Sequence, residues 1–180
     1  MATSPARWQD ETPAETGVLV PDVHRVPGHL ARRFHQICTG MLSEVTVTED
    51  LSPVEYAVLA ALDEQPGLDQ RRLAERIGVD TVSAHHMLER LETRRLIDRR
   101  VDETDRRARS LALTAKGRKL RSKLQPQLVV AHGRILAPLT KPERAVLIEL
   151  LTRIVEGNES YARPGHGRRK PGANRGGVGS

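Results

Sequence analysis

Apolar residues recur three and four positions apart at Leu30, Phe34, Ile37, Met41 and Val45, which predicts a long helix with one buried face after Pro27 and Gly28. The chain restarts at Leu51, with Ser52 placed as an N-cap and Pro53 at the first helical position. Val54, Ala57, Val58 and Ala61 form the predicted buried stripe of that helix, and Pro66 with Gly67 ends it. Asp69 is placed to cap a short helix over residues 70–77 that buries Leu73, Ala74 and Ile77, and Gly78 stops it. Asp80 is placed to cap the next helix, residues 81–92, with Ala84, Met87, Leu88 and Leu91 facing inward. Residues 97–101 and 109–113 read as two short strands around a polar loop. Thr114 caps a helix over about 115–136, which Pro138 breaks. Thr140 with Glu143 makes a capping box for a last helix over about 141–158, apolar at Val146, Leu147, Leu150, Leu151 and Ile154. The predicted fold is mainly α with a small β-hairpin, and there is no internal repeat.

Composition agrees with helices. Of the 180 residues, 38% are hydrophobic but only 2% aromatic, so the core must be built from Leu, Val, Ile and Ala, whereas a β-rich core draws on aromatics. The net charge of +6 changes meaning once it is divided along the chain. From Ser160 onward there are five basic residues and no acids, which leaves residues 1–159 with 24 basic against 23 acidic side chains. Residues 159–180, rich in Gly, Arg and Pro, are expected to be a disordered basic tail. Residues 1–25, polar and proline-bearing, are expected to be a flexible arm in which Trp8 is the one residue suited to dock. Cys38 is the sole cysteine, so no intramolecular disulfide can form. No signal peptide or membrane span is expected, and the cytoplasm is the expected compartment.

Local charge is more telling than total charge: Arg94 to Arg109 holds seven arginines and four acids. The helix before it leaves Ser83, His85, His86 and Arg90 near its exposed side. A helix with small polar and basic residues, followed at once by a basic hairpin, is what a winged helix-turn-helix needs. The helix fills a DNA major groove, and the arginine-bearing wing reaches the backbone or minor groove. The DNA-facing set is Gln70, Thr81, Val82, Ser83, His85, His86, Arg90, Arg99, Arg106, Arg107 and Arg109. The bland alternatives are a solvated helix face and a hairpin in which Asp102 or Asp105 pairs Arg106 and Arg107. A histidine that touches phosphate would bind more tightly in mild acid. No enzyme, cofactor or metal is expected: His85 and His86 are adjacent and point in different directions on a helix, there is no glycine-rich phosphate loop, and no nucleophile–base set can be read.

Several strings in order carry a family resemblance: Leu51-Ser52-Pro53 followed by Val58-Leu59, Leu73-Ala74-Glu75, Arg90-Leu91-Glu92, Asp105-Arg106-Arg107, and Leu113-Thr114-Ala115-Lys116-Gly117. Together they resemble the MarR family of bacterial transcription regulators over roughly residues 26–158. The resemblance implies a homodimer with winged helix-turn-helix lobes at residues 51–114 and dimerisation helices at 26–48 and 115–158. It also implies a pseudo-palindromic double-stranded DNA operator, usually repressed until a small molecule binds, with the two reading helices about 34 Å apart. Its first helix helps line an effector pocket, so His29, Arg33 and His35, with Tyr56 on the second helix, are effector candidates. An arginine and a histidine beside the apolar stripe suit the carboxylate of an aromatic or other organic acid; dimer-interface contacts, and for Tyr56 the core, are the alternatives.

The chain departs from the family at Arg95, where glycine is common. Either Arg95 is left-handed, with strain of about 1 kcal/mol or more, or the turn takes another shape and tilts the wing. His85 and His86 stand where arginine is common. Some members sense peroxide through one cysteine near the first helix, which makes a thiol switch on Cys38 the runner-up to an organic-acid effector, although no flanking pattern matches those sensors and a lone cysteine on an apolar face is most often core. From another class, a winged helix used as a protein-interaction module is the alternative; it would be favoured by a wing without basic residues.

Overall fold

The computed structural model describes His24, residues 26–101 and residues 109–162. The chain divides into two units, residues 1–38 and 39–180, with helix α1 (Pro27–Thr46) crossing the boundary. In the first unit the rings of His24 and His29 meet edge to face, 5.3 Å between centroids. Leu30 and Ile37, expected on a buried face, are about half exposed, and Phe34 is half-buried.

The second unit holds the core. After α1 comes a single 3₁₀ turn, Val47–Glu49, and then α2 (Pro53–Glu64). α2 starts with a full capping box: Glu55 N donates to Ser52 Oγ at 3.2 Å, and Ser52 N donates to Glu55 Oε2 at 2.7 Å. Its buried face is turned from the expected stripe. Val58, Leu59, Ala61, Leu62 and Glu55 are buried, while Val54 and Ala57 are only half covered. α2 is apolar on most sides, so periodicity alone does not select a face; the elements that pack on it do.

α3 (Gln70–Ile77) and α4 (Thr81–Thr93) follow, capped by Asp69 and Asp80. Both helices end in the same hydrogen-bonded turn. After α3, Gly78 N donates to Glu75 O and Val79 N to Ala74 O, with Gly78 at φ +71°. After α4, Arg95 N donates to Glu92 O at 2.7 Å and Leu96 N to Leu91 O at 2.9 Å, with Arg95 at φ +57°. The turn shape is thus that of a Schellman motif, and an arginine occupies the left-handed position where α3 uses glycine.

Strands β1 (Ile97–Val101) and β2 (Arg109–Leu113) pair antiparallel, from Ile97 opposite Leu113 to Val101 opposite Arg109. Ile97, Leu111 and Leu113 face the core. Gly67 N donates to Leu111 O and Leu111 N to Leu68 O, so the residues after α2 also satisfy the far edge of β2. Pro66 and Gly67 mark the helix end as expected, but the extra pairing has no sequence signature.

α5 (Ala115–Ile135) is capped by Thr114, whose Oγ1 accepts from Gly117 N at 3.0 Å, and the helix runs through Pro126. A Cβ placed on Gly117 would lie 2.0 Å from Leu96 O, so the first turn of α5 sits directly on the end of the α4 turn. α6 (Lys141–Gly157) has the expected Thr140–Glu143 capping box but buries none of its residues. Glu159–Ala162 form one more helical turn, α7, where a disordered tail was expected to begin; the rest of that tail, residues 163–180, lies outside the described residues, as does residues 1–23 of the expected arm.

The core is almost wholly leucine: Leu59, Leu62, Leu73, Leu88, Leu91, Leu96, Leu111 and Leu124 have at most a fiftieth of their surface exposed, and each contributes about 1.5–3 kcal/mol by burial. Two substitutions test the α4–α5 junction. Gly117→Ala is expected to lower stability by about 1–3 kcal/mol in urea unfolding, because the methyl group overlaps a backbone carbonyl. Arg95→Gly should raise it by about 0.5–1 kcal/mol, the relief of left-handed strain less the greater freedom of unfolded glycine. An Arg95→Gly protein no more stable than the parent would show that the turn is not strained.

Candidate nucleic-acid interface

The helix-turn-helix is set by two aspartates and one glycine. Asp80 does more than cap: its carboxylate accepts from Val82 N at 3.0 Å, Ser83 N at 2.9 Å and Ser83 Oγ at 2.7 Å. The bonds from the Ser83 amide and hydroxyl lower the Asp80 carboxyl below its ordinary value. Gln70 Nε2 donates to Thr81 O at 3.3 Å and so joins the first turns of α3 and α4.

The outward face of α4 presents Thr81, Val82, Ser83, His85 and His86, all exposed, with Val82 64% so. Glu89 lies between the two histidines, 3.3 Å from His85 Nε2 and 3.7 Å from His86 Nδ1. Of the residues the sequence predicts to face DNA, these are the ones the structure brings together on one surface.

Other members of the predicted set are engaged elsewhere. Arg90 Nη2 donates to Asp50 Oδ1 at 2.9 Å and to Asp50 O at 3.0 Å, and Arg90 Nε lies 3.4 Å from the buried Glu55 carboxylate. Arg99 Nε donates to Glu92 Oε2 at 2.8 Å, with only a fifth of its side chain exposed. It ties β1 to the end of α4. On α3, Arg71, Arg72 and Arg76 pair with Glu75, Asp69 and Glu64. Arg109 begins β2, and Arg106 and Arg107 lie outside the described residues, as do the Asp102 and Asp105 partners suggested for them.

Within the second unit a cavity of about 280 Å³ is lined by Leu42, Thr46, Tyr56, Ala57, Leu128 and His132, among others. Tyr56 therefore packs against the core on one side and lines a cavity on the other. Burial raises its phenol above the ordinary value, opposed by Arg121. Thr46 is fully buried, and its Oγ1 has no partner among the described residues. Sequence reasoning missed both Thr46 and His132, because neither stands in a distinctive spacing. His29 is half-buried while Arg33 and His35 are exposed, and Arg33 is 3.4 Å from Gln36 Oε1; all three belong to the first unit. Among the described residues there is no group of three metal-ligating side chains, and no helix is long and apolar enough to cross a membrane.

Comparison with known proteins agrees with this geometry. The MarR family matches residues 49–108. The PcaV transcriptional regulator of Streptomyces coelicolor, solved in complex with its natural ligand, is 36% identical, covers 77% of this chain and 98% of its own, and superposes with a TM-score of 0.68. The transcriptional repressor CouR, solved on a 23-mer DNA duplex, is 26% identical over 77% of this chain and 98% of its own, with a TM-score of 0.69. HosA, a transcriptional regulator of Escherichia coli O157:H7, is 30% identical over 59% of this chain and 78% of its own. The chain belongs to the MarR family of winged-helix, DNA-binding transcription regulators. Proteins of this kind act on transcription and are not enzymes.

The Asp80 cap gives a pH-dependent expectation. Its folded-state carboxyl is lowered, so the stability it contributes is present above the ordinary aspartate range and is lost as pH falls through it. Asp80→Ala should lower the melting temperature at neutral pH, and the gap to the parent should close in acid. A gap that does not depend on pH would mean that the carboxylate charge plays no part in holding the start of α4.

Proposed function

We propose that the protein is a repressor that binds a pseudo-palindromic operator as a homodimer and leaves it when a small organic acid, aromatic in the leading case, occupies the cavity beside Tyr56. The observation that carries the DNA-binding part is the outward face of α4, where Val82, Ser83, His85 and His86 stand exposed together. Val82 suits the methyl group of thymine. Ser83 donates its hydroxyl hydrogen to Asp80 and so offers an acceptor outward, which suits the amino group of cytosine or adenine. Arg106, Arg107 and Arg109 are proposed as wing contacts to the DNA backbone or minor groove, and Gln70 and Thr81 as contacts flanking the reading helix. CouR, a repressor solved on DNA with a similar fold, supports the same mode.

The homodimer is supported by α6. Val146, Ile148, Leu150, Ile154 and Val155 are each about half exposed or more, and a helix of 17 residues that buries none of them needs another surface. The effector is supported by the cavity, apolar except for Tyr56, Thr46 and His132, which is the usual composition of a small-molecule site. PcaV, solved with its natural ligand, is a relative for which ligand binding is known. His29, Arg33 and His35 remain candidates for holding a carboxylate. The peroxide-sensing alternative is weakened because burial raises the Cys38 thiol, which favours the unreactive protonated form.

A fluorescence-polarisation titration onto the DNA upstream of its own coding region, against a scrambled duplex at about 0.15 M salt, tests the reading. A preference of about 10³-fold or more is expected, and equal binding to both duplexes would sink it. Ser83→Ala and His86→Ala should change preference at particular base pairs by about 1–3 kcal/mol. Arg106→Ala should instead weaken binding to all sequences and lower the salt slope by about one. Leu150→Glu with Ile154→Glu should yield monomers by sedimentation and abolish operator preference. In the same assay, small aromatic carboxylates should release the parent protein, whereas Tyr56→Phe should keep operator affinity and weaken release. No release by any acid of the series would remove the effector assignment and leave DNA binding standing.

A further inference from the structure

Arg90, near the end of α4, and Arg94, its C-cap, both reach back to the connector between α1 and α2. That connector is a 3₁₀ turn followed by Asp50, which is left-handed at φ +52°. A helical turn that ends there leaves its last carbonyls without partners from the turn itself. Guanidinium groups supply them. Arg90 Nη2 donates to the Asp50 carbonyl at 3.0 Å and to its carboxylate at 2.9 Å. Arg94 Nη1 donates to the same carbonyl, and Arg94 Nη2 donates to Glu49 O at 2.7 Å. Lys123 of α5 adds an ion pair to the Glu49 carboxylate.

A second constraint acts on Arg90. The Glu55 side chain is only 3% exposed, and Arg90, 3.4 Å away, is its charged partner. A carboxylate buried to that degree is costly without a countercharge. Moving Arg90 onto a DNA phosphate would leave Glu55 without a countercharge among the described residues.

We propose that Arg90, together with Arg94, is a positioning residue that does not touch DNA. It anchors the C-terminal end of α4 to the carboxylate and carbonyl of Asp50, the carbonyl of Glu49 and the Glu55 carboxylate, and thereby fixes the angle at which Ser83, His85 and His86 meet the groove. Those side chains lie one to two turns along the helix from the anchor, so freedom at Arg90 becomes a tilt at the reading end. The inference rests on α4 being the reading helix.

The test is a double-mutant cycle on the full chain, with polarisation titrations onto the operator duplex at several salt concentrations. Arg90→Ala and Asp50→Asn are each expected to weaken operator binding about tenfold or more, with the double variant no worse than the weaker single. The salt slope should be unchanged, because no phosphate contact is lost; each such contact removed lowers it by about 0.9. Arg90→Lys should not restore affinity, since one ammonium group cannot bridge a carbonyl and two carboxylates, although it would largely preserve a phosphate contact. Asp50→Asn keeps a side chain that tolerates the left-handed backbone, so the comparison stands even where Arg90→Ala fails to fold. A lowered slope in Arg90→Ala, rescue by lysine, or full affinity in Asp50→Asn would each overturn the proposal and make Arg90 a DNA contact. If the parent protein itself does not prefer its operator, the reading-helix assignment fails and takes this inference with it, an outcome distinct from the others.

Discussion

The carbonyl of Leu96 is where three parts of the second unit meet. It accepts from Thr114 N at 3.1 Å, and Gly117 lies so close that even a methyl group would collide with it. Thr114 Oγ1 also donates to Arg95 O at 2.8 Å, and Lys116 Nζ donates to Arg94 O at 2.9 Å. Residues 94–96 thus hand their carbonyls to the start of α5 while their side chains and amides end α4 and begin β1. These bonds at residues 94–96 hold the end of α4 against the hairpin and the start of α5. The contact at the Leu96 carbonyl explains why glycine stands at 117 and why the turn keeps its Schellman hydrogen bonds with arginine in the left-handed position.

Much of this was legible in the sequence because it is written in short-range chemistry. Ser52, Asp69, Asp80, Thr114 and Thr140 all cap the helices they were expected to cap, and both strands lie within their expected bounds. Caps and breakers act over three or four residues, so a single sequence displays them. The buried face of α2 was misjudged because an almost wholly apolar helix has no preferred side until its neighbours are in place. The same holds for α1 and α6, whose apolar stripes are real but lie in large part exposed in a single chain. A stripe states that a surface seeks cover and not which surface provides it.

The site was less legible than the fold, and the reason is electrostatic. Arginines on an exposed-looking helix face read alike whether they meet phosphate or a carboxylate of their own chain. Arg90 and Asp50 are 40 residues apart, and Glu55 was assigned no role from the sequence. Arg99 is likewise paired to Glu92. Ion pairs across such separations have no local signature, so sequence reasoning credits every arginine to the partner it expects. Among the described residues, the outward face of α4 is smaller and less cationic than the arginine count implies, with small polar and imidazole side chains at its centre.

Ser83 lends its hydroxyl to the Asp80 carboxylate and so belongs to the first turn of α4 before any partner arrives. Its replacements form a short list: the side chain must be compact and must offer a donor to the cap, which favours threonine and disfavours long or purely apolar residues. Among the described residues, His85 and His86 meet Glu89 and each other on the open surface and carry no such duty. Substitution along the outward face of α4 is therefore graded: conservative where the helix begins, permissive one turn further on.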